Sequence, residues 1–560
     1  EEFPVVLTIF MALGAWRISQ KKVLTRRFPA IEMLGSATVI CVDKTGTLTE
    51  NRMTVQEVFV AADGIGRDEL LRVAALASEQ HTADSVDKAV VAAAPGTQPP
   101  GPLLREYPLS PECMLVAKAY EYADHTVFIA AKGAPEQIFK LEPRQSESRI
   151  RCESALKQMT ENGMRVIAVA AGEASQQHLP SDKSALKLNV LGLIGLADPI
   201  RATVPHAITE LAGAGIRVIM ITGDYPATAS VIAGKAGLSH PENVISGKSL
   251  EDMDEEELRA RVRDCNVFAR IRPEQKLQLV NALKANGEIV AMTGDGVNDA
   301  PALKAAHIGI AMGARGADVA REAASLVLSD DDFPAIADAV RLGRRIYDNL
   351  VKAVRYVFAA HVPIAGMAVL PVVFNWPILL MPLHIVFFEL IVDPACSVAF
   401  ESEADEPGIM RRLPRSPSAR LFGSGTVWTG LLQGIGVFVA VLAAFGVALH
   451  RGQSPEEARA IAFTTLVVGN VALIWANRSW ARGVFRTLVA RNRALWAVTV
   501  GSLATLLVIL YSPQGRALFG FSFLHVVDLT VAFGLGLLTI GWCEILKLAS
   551  RGKEGAYTRA

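Results

Sequence analysis

Cysteine is scarce in this chain: six in 560 residues, with no Cys-x-x-Cys and no Cys-Pro-Cys. That favours unpaired thiols in a reducing compartment and leaves no thiolate pair to hold a soft metal. An excess of charge of one sign is also missing, since Lys plus Arg and Asp plus Glu both number 56, which points away from a nucleic-acid partner. There is no initiator Met, and the apolar run that ends at Trp16 has neither the basic start nor the cleavage site of a signal peptide. As written it is also shorter than the ~20 apolar residues that span a bilayer. What the chain has in quantity is apolar sequence, 51% of residues with a mean hydropathy of +0.31. It is too long for one domain and too apolar for a wholly soluble protein.

The most informative stretch runs from Val39 to Thr49, VICVDKTGTLT. Thr38 to Val42 reads as a buried parallel strand, which puts Asp43 at its carboxyl end, where open α/β sheets place reactive groups. A carboxylate there can attack a phosphoryl group to give an aspartyl-phosphate, and Gly46 lets the chain turn closely round the incoming oxygens. The plainer alternative is an Asp in an ordinary strand-to-helix turn. Two later stretches repeat the pattern: Arg217 to Ile221 runs into Thr222-Gly223-Asp224, and Glu288 to Met292 into Thr293-Gly294-Asp295-Gly296-Val297-Asn298-Asp299. Three such strands side by side would gather Asp43, Thr222 and Asp295 at one edge, as a phosphoryl-transfer site requires.

A transferred phosphoryl and a carboxylate nucleophile are both negative, so a cation must lie between them. Asp43 and Asp295 are natural oxygen ligands for Mg2+, with the Thr45 carbonyl as a third. The Thr222 hydroxyl and the backbone N–H groups after Gly223 can hold the terminal oxygens. Lys276, in Arg270-Ile271-Arg272-Pro273-Glu274-Gln275-Lys276, would supply a fixed positive charge as the leaving bond breaks; alone, such a Lys is ordinarily a solvated side chain.

At this point the chain resembles a P-type ATPase, a cation pump that cycles through an aspartyl-phosphate, and within that family the type-II branch that contains calcium pumps. DKTGTLT, KGAPE (Lys132 to Glu136), DPIR (Asp198 to Arg201), TGDYPATA (Thr222 to Ala229) and GDGVNDAPAL (Gly294 to Leu303) match it in order and approximate spacing, over essentially the whole chain. The resemblance implies an α/β plus membrane all-α fold: a HAD-like Rossmannoid phosphorylation domain (28–54 and 198–335), an inserted α+β nucleotide-binding domain (55–197), a stalk (336–352), six transmembrane helices (353–549) and a tail (550–560). Residues 1–27 resemble the second half of the family's fourth transmembrane helix and its stalk, so the chain is expected to begin inside a larger protein, without the first three membrane helices and the Thr-Gly-Glu dephosphorylating domain. The matched motifs imply catalytic roles for Lys44, Gly223, Asp224, Asn298 and Asp299 beside Asp43, Thr45, Thr222 and Lys276. ATP contacts are implied at Lys132, lining the adenine pocket, at Arg165, reaching the phosphates, and at Asp87, Asp198 and Arg270. Leu109 stands where the family carries an aromatic that stacks on adenine, and Asp87 where it usually has Glu; altered nucleotide binding is the expectation.

Six apolar spans follow Ala353, at about 353–373, 378–398, 426–449, 458–477, 494–511 and 527–548. The linkers after the second and fourth and the tail are rich in Arg and Lys, while the alternate loops around Asn375, Arg451 and Arg516 carry little positive charge, as six real spans in a lipid bilayer require. The second span holds Glu389 and Asp393, which share a helix face at i and i+4; two acids in hydrocarbon are expensive unless they meet a cation, a partner or the interface. With Glu1 they would form a hard oxygen site suited to Ca2+ or Mn2+. His361, in the first span, is either a packed polar residue or a titrating counter-ion. Six spans rule against a soluble phosphatase of this fold. Two readings remain: ATP-driven export of a divalent cation from the cytosol, across a bacterial plasma membrane with the catalytic domains cytoplasmic, or a truncated, self-phosphorylating ATP-binding membrane module that transports nothing.

Overall fold

The computed structural model of the protein describes residues 2–554 apart from 28, 80–81, 111–112, 123–125, 143–145, 176–178, 390–392 and 417–420. Its organising element is an eight-stranded sheet. From one edge to the other the strands are Val23–Thr25, Leu326–Leu328, Ile308–Met312, Val290–Gly294, Val39–Asp43, Arg217–Thr222, Val267–Ala269 and Val244–Ser246. All neighbours pair parallel except the first two, which are antiparallel.

The central strands read as unbroken apolar runs because both faces are covered. Ile40, Val42, Val218 and Met220 face one helical layer, with Ile208 and Leu211 of Val204–Gly213 and Ala229 and Ala233 of Pro226–Ala236. Val39, Cys41, Ile219 and Ile221 face the other, with Leu279 and Leu283 of Pro273–Ala285 and with Leu303. Period-two alternation thus fills two cores from the same residues. Burial holds the Cys41 thiol up at about 12, so it is an inert core residue and not a nucleophile.

A second, six-stranded sheet is antiparallel throughout, in the order Thr54–Val60, Asn189–Ala197, Arg165–Ser175, Thr126–Gly133, Leu115–Glu121, Leu103–Tyr107. It leaves the first sheet after Asp43 and returns before Arg217. Helices Arg67–Leu76 and Ser85–Ala93 cover one face of it and helix Glu147–Glu161 the other.

Among the described residues six helices are long and apolar enough to cross a membrane: Phe3–Gln20, Pro334–Phe374, Ser424–His450, Pro455–Asn477, Arg493–Tyr511 and Val526–Ala549. The first of them differs from the sequence expectation. The first apolar run does not stop at Trp16, because Arg17 continues the helix with its guanidinium laid bidentately on Glu401 at 2.6 and 2.8 Å. In the stretch 378–398 the described residues form the helices Pro382–Phe387 and Asp393–Glu401, and residues 390–392 between them lie outside the described residues. Met381 is extended (φ −86°, ψ 158°) before Pro382, as a residue preceding proline prefers, so the helix starts late.

Pro334–Phe374 is 41 residues long, about 60 Å at 1.5 Å per residue, and joins the first sheet to the apolar helices. Buried Arg344 on it donates to the carbonyls of Gly35 (3.2 Å), Ala214 (2.7 Å), Ile409 (2.9 Å) and Arg412 (2.8 Å), tying the sheet domain and the 401–415 segment to one helix. Nearby Lys352 pairs with Glu406 at 2.7 Å, and Arg478 with Glu403 at 2.7 Å. Asn492 also donates to Glu403, at 2.7 Å. Removing one partner of a buried pair strands the other charge. Glu403→Ala is therefore expected to destabilise the protein by about 3 kcal/mol, the low end for such a loss, because the Thr487 and Ala490 carbonyls still accept from Arg478. A fall of several degrees in the melting temperature of the protein in nanodiscs checks this; an unchanged melt refutes it.

Candidate active site

Three adjacent parallel strands bring the reactive groups together. Asp43 ends the central strand, opposite Ile221 in register, one residue before Thr222. On its other side lies the strand Val290–Gly294, which leads directly into Asp295. The Thr293 hydroxyl accepts from the Asp43 backbone N–H at 3.2 Å, so the neighbouring strand fixes the Asp43 backbone by a side chain as well as by the ladder.

Oxygens of Asp43, Asp295 and Asp299 all lie within 4.8 Å of one another. Asp299 reaches the cluster because it accepts from the Gly296 N–H at 3.0 Å and packs against Gly294, where any Cβ would sit 2.5 Å from its own. Only hydrogen fits at 294. Lys276, from helix Pro273–Ala285, meets Asp299 at 2.7 Å and Asp43 at 3.5 Å. Burial pushes the Asp43 carboxyl up to about 6; Lys276 opposes this, while Asp299 and Asp295 add to it. Asp295 is raised as well, by burial first and then by Asp299, with Arg315 and Lys276 opposing.

Three carboxylates facing one ammonium carry more negative charge than that ammonium offsets. A hard divalent cation among oxygen ligands corrects such an excess, so the residues present fit Mg2+. The sequence reading assigned Asp43, Asp295 and the Thr45 carbonyl to it; the structure adds Asp299 to the same cluster.

The turn after Asp43 has Thr45 at φ −70°, ψ 122° and Gly46 at φ 74°, ψ −9°, the dihedrals of a type II turn, whose third residue must be glycine or nearly so. Thr45 is exposed and Lys44 is buried, paired with Asp224 at 2.9 Å. Thr222 is buried and its hydroxyl accepts from the Asp224 N–H at 3.1 Å; Gly223 between them is exposed. Asn298 is exposed at the mouth of the same loop. Arg270, at φ 56°, donates its N–H to the Asp224 carbonyl at 3.0 Å and lays its guanidinium 3.9 Å over Tyr225. Asp198 accepts from the Thr49 hydroxyl at 2.6 Å and the Arg52 N–H at 3.1 Å, closing the crossing between the two sheets.

In the second sheet Lys132 is buried and hydrogen-bonded to both Asp87 and the Ser78 hydroxyl. Burial lowers its ammonium, and Asp87 opposes that. Arg165 and Leu109 are exposed, Leu109 at 56%. Of the three carboxylates read as a transported-cation site, Glu1 and the Asp393 side chain lie outside the described residues, and Glu389 is exposed. His361 bonds the Val357 carbonyl of its own helix at 2.8 Å.

Several residues of the site were not singled out from the sequence. Thr293 was read only as the first residue of the Thr-Gly-Asp that follows a strand. Arg201 and Arg315 both donate to the Gly46 carbonyl; Arg201 lies inside DPIR, but Arg315 belongs to no motif, and nothing in its neighbours signals a reach of 269 positions along the chain.

A parallel sheet with Asp43 at its carboxyl edge and acidic and Lys groups on the neighbouring strand and helices is the arrangement of a haloacid dehalogenase-like domain. The family model described as haloacid dehalogenase-like hydrolase matches residues 37–307, and that described as cation transporting ATPase, C-terminus, matches 377–549. The calcium-transporting ATPase of Bacillus subtilis (strain 168) is 33% identical, over 97% of this chain and 67% of its own length. Calcium-transporting ATPase 1 of Lactococcus lactis is 32% identical (98% and 66%), and calcium-transporting ATPase type 2C member 1 of Pongo abelii 30% (99% and 65%). The chain belongs to the type-II P-type ATPases. It spans about two thirds of the length of these relatives.

Proposed function

We propose that this protein uses ATP to move a divalent cation, Ca2+ or Mn2+, out of the cytosol through an aspartyl-phosphate on Asp43. The observation that carries the reading is the cluster of Asp43, Asp295 and Asp299 with Lys276 at the carboxyl edge of the sheet. In this reading Asp43 attacks the γ-phosphorus of ATP and the bond to the leaving ADP oxygen breaks. The Thr222 hydroxyl and the Gly223 N–H bind terminal oxygens. Lys276 stabilises the charge that spreads over the phosphoryl as it transfers, and Lys44, held by Asp224, keeps the following loop in place. Mg2+, held by Asp43, Asp295 and the Thr45 carbonyl with Asp299 beside them, would shield the nucleophile from the phosphates. Asp198 and Arg270 bound the route by which ATP reaches Asp43 from the second sheet, where Lys132, Asp87, Leu109 and Arg165 bind the nucleotide.

The names of the relatives support Ca2+ as cargo, and the carboxylates Glu1, Glu389 and Asp393, as hard oxygen ligands, would suit Ca2+ or Mn2+. The basic linkers support a multi-pass protein whose two sheet domains face the cytosol, in a bacterial plasma membrane. The deciding experiment is phosphoenzyme formation from γ-labelled ATP in membranes holding the protein, with Ca2+, Mn2+ or neither. Acid-stable, hydroxylamine-sensitive label that depends on one of them supports the reading and identifies the ion. Label indifferent to every cation overturns the transport half of it.

Nucleotide binding gives a smaller prediction. Lys132→Met removes a buried charge-assisted donor, so the ATP concentration for half-maximal labelling should rise about tenfold or more, the scale of one such bond. Labelling at saturating ATP should stay the same; a lower ceiling with unchanged half-saturation would place Lys132 elsewhere in the cycle.

A further inference from the structure

Arg315 lies in Gly313-Ala314-Arg315-Gly316, outside every motif matched above, yet its guanidinium sits on the phosphorylation loop. One end donates to the Gly46 carbonyl. The other, Nε, donates to Asp331 Oδ2 at 2.9 Å. Asp331 is buried, accepts from the Ala314 N–H at 3.0 Å through its second oxygen, and holds a left-handed backbone (φ 53°) just ahead of the long helix that begins at Pro334. The anchor is therefore rigid at both ends: a short loop on one side and the foot of the 41-residue helix on the other.

The fit to Gly46 is tight. A Cβ built there would lie 2.7 Å from Arg315 Nη1 and 2.9 Å from both Cζ and Nη2, so the guanidinium occupies the space a side chain would need. Arg201 donates to the same carbonyl at 3.2 Å, and to that of Thr49 at 3.1 Å. Two guanidinium groups thus hold one peptide oxygen at the exit of the type II turn. Type I and type II turns differ by a flip of the middle peptide, and here that peptide carries the Thr45 carbonyl.

We infer that Arg315 is a positioning residue for phosphorylation: bridging the Gly46 carbonyl and Asp331, it holds the Thr45–Gly46 turn in the one form that lets the Thr45 carbonyl join Asp43 and Asp295 around Mg2+. This rests on the function proposed above. A planar fork with separate donors at Nε and Nη2 can hold both acceptors at once, which a Lys ammonium at the end of a flexible stem cannot do in the same way. Arg315 touches neither nucleotide nor nucleophile in this role, so its effect should fall on the metal dependence of the reaction and not on ATP affinity.

The test uses the full chain in nanodiscs, as wild type, Arg315→Gln, Arg315→Lys and Asp331→Asn. Two quantities are read: the Mg2+ concentration for half-maximal labelling, and the Mg2+ concentration that half-protects the 44–49 backbone amides from hydrogen exchange without ATP. Arg315→Gln should raise both about tenfold, the scale of one charge-assisted hydrogen bond, with half-saturation by ATP changed less than about twofold. Arg315→Lys should recover part of the shift. Asp331→Asn, which keeps Arg315 but loosens its anchor, should shift both midpoints the same way by a smaller factor, and it decides the matter if Arg315→Gln does not fold. Wild-type midpoints in both measurements for Arg315→Gln, or for Asp331→Asn in its place, overturn the inference. Wild-type protein that is never labelled overturns the proposed function, while the exchange midpoints still decide the role of Arg315.

Discussion

Asp43→Asn should abolish labelling by γ-labelled ATP, a loss on the order of 10⁶-fold if the carboxylate is the covalent nucleophile. The substitution is close to isosteric. It leaves the strand Val39–Asp43 and its neighbours in place, because the Thr293 hydroxyl binds the backbone N–H of residue 43 and not the side chain. What it removes is the anion: an amide nitrogen, its lone pair delocalised, cannot attack phosphorus as a carboxylate does. The stability of the variant separates this from misfolding. A carboxyl raised to about 6 in the folded, metal-free protein costs stability as it ionises, progressively from its ordinary value near 3.8 upward, so at neutral pH the ionised form is a net burden. A neutral Asn removes that burden, and the melting temperature of Asp43→Asn at pH 7 should be equal to or above that of the wild type. A variant that melts normally and still takes label would move the nucleophile to another residue and end the assignment.

The gathering of Asp43, Thr222 and Asp295 at one sheet edge was legible from sequence for a local reason. Each reactive group stands within a few residues of the end of an apolar strand, at Asp43, Thr222 and Asp295, and parallel pairing of those strands is enough to assemble them. Asp299 is four residues beyond Asp295, but its place in the cluster depends on the absence of a side chain at Gly294, a packing fact that spacing does not express. Arg315 was invisible because its partners Gly46 and Asp331 are chosen by tertiary folding, and an Arg between glycines is ordinarily a loop residue. In the membrane half the sequence missed a pairing. Hydropathy read Arg17 as the end of a run, where the fold supplies Glu401 to neutralise it. Part of the basic signal is also spent internally, since Arg412 pairs with Asp348, and Arg415 with Glu32, which lies in the chain before the first sheet's central strand. Charge counting sees the sum, not the pairing.

Lys276→Met should slow phosphoryl transfer by about 10²- to 10³-fold, the loss seen when one preorganised donor is taken from a charge-stabilising site. Lys276 is mostly buried, and burial lowers its ammonium, but Asp43 and Asp299 raise it by more, so it stays charged throughout the working pH range. Its position is held by Asp299 at 2.7 Å, while the 3.5 Å contact with Asp43 leaves room for charge to develop between them. A fixed cation at that place acts twice. In the resting protein it offsets part of the repulsion among three carboxylates within 4.8 Å of one another; under the proposed function it meets the charge on the phosphoryl oxygens in transfer without having to reorient. Only the second role bears on rate at saturating ATP and Mg2+. The two separate in the measurement: a lower maximal rate with unchanged half-saturation by ATP marks transition-state stabilisation, whereas a raised Mg2+ requirement with the maximal rate intact marks the resting role alone. Lys276→Arg keeps the charge but presents a fork in place of a point, and should fall between wild type and Met. If the Met variant transfers phosphate at the wild-type rate, Lys276 is a structural partner of Asp299, and the charge that stabilises transfer must come from another group at the same edge, of which Lys44, paired with Asp224, is the nearest in sequence to Asp43.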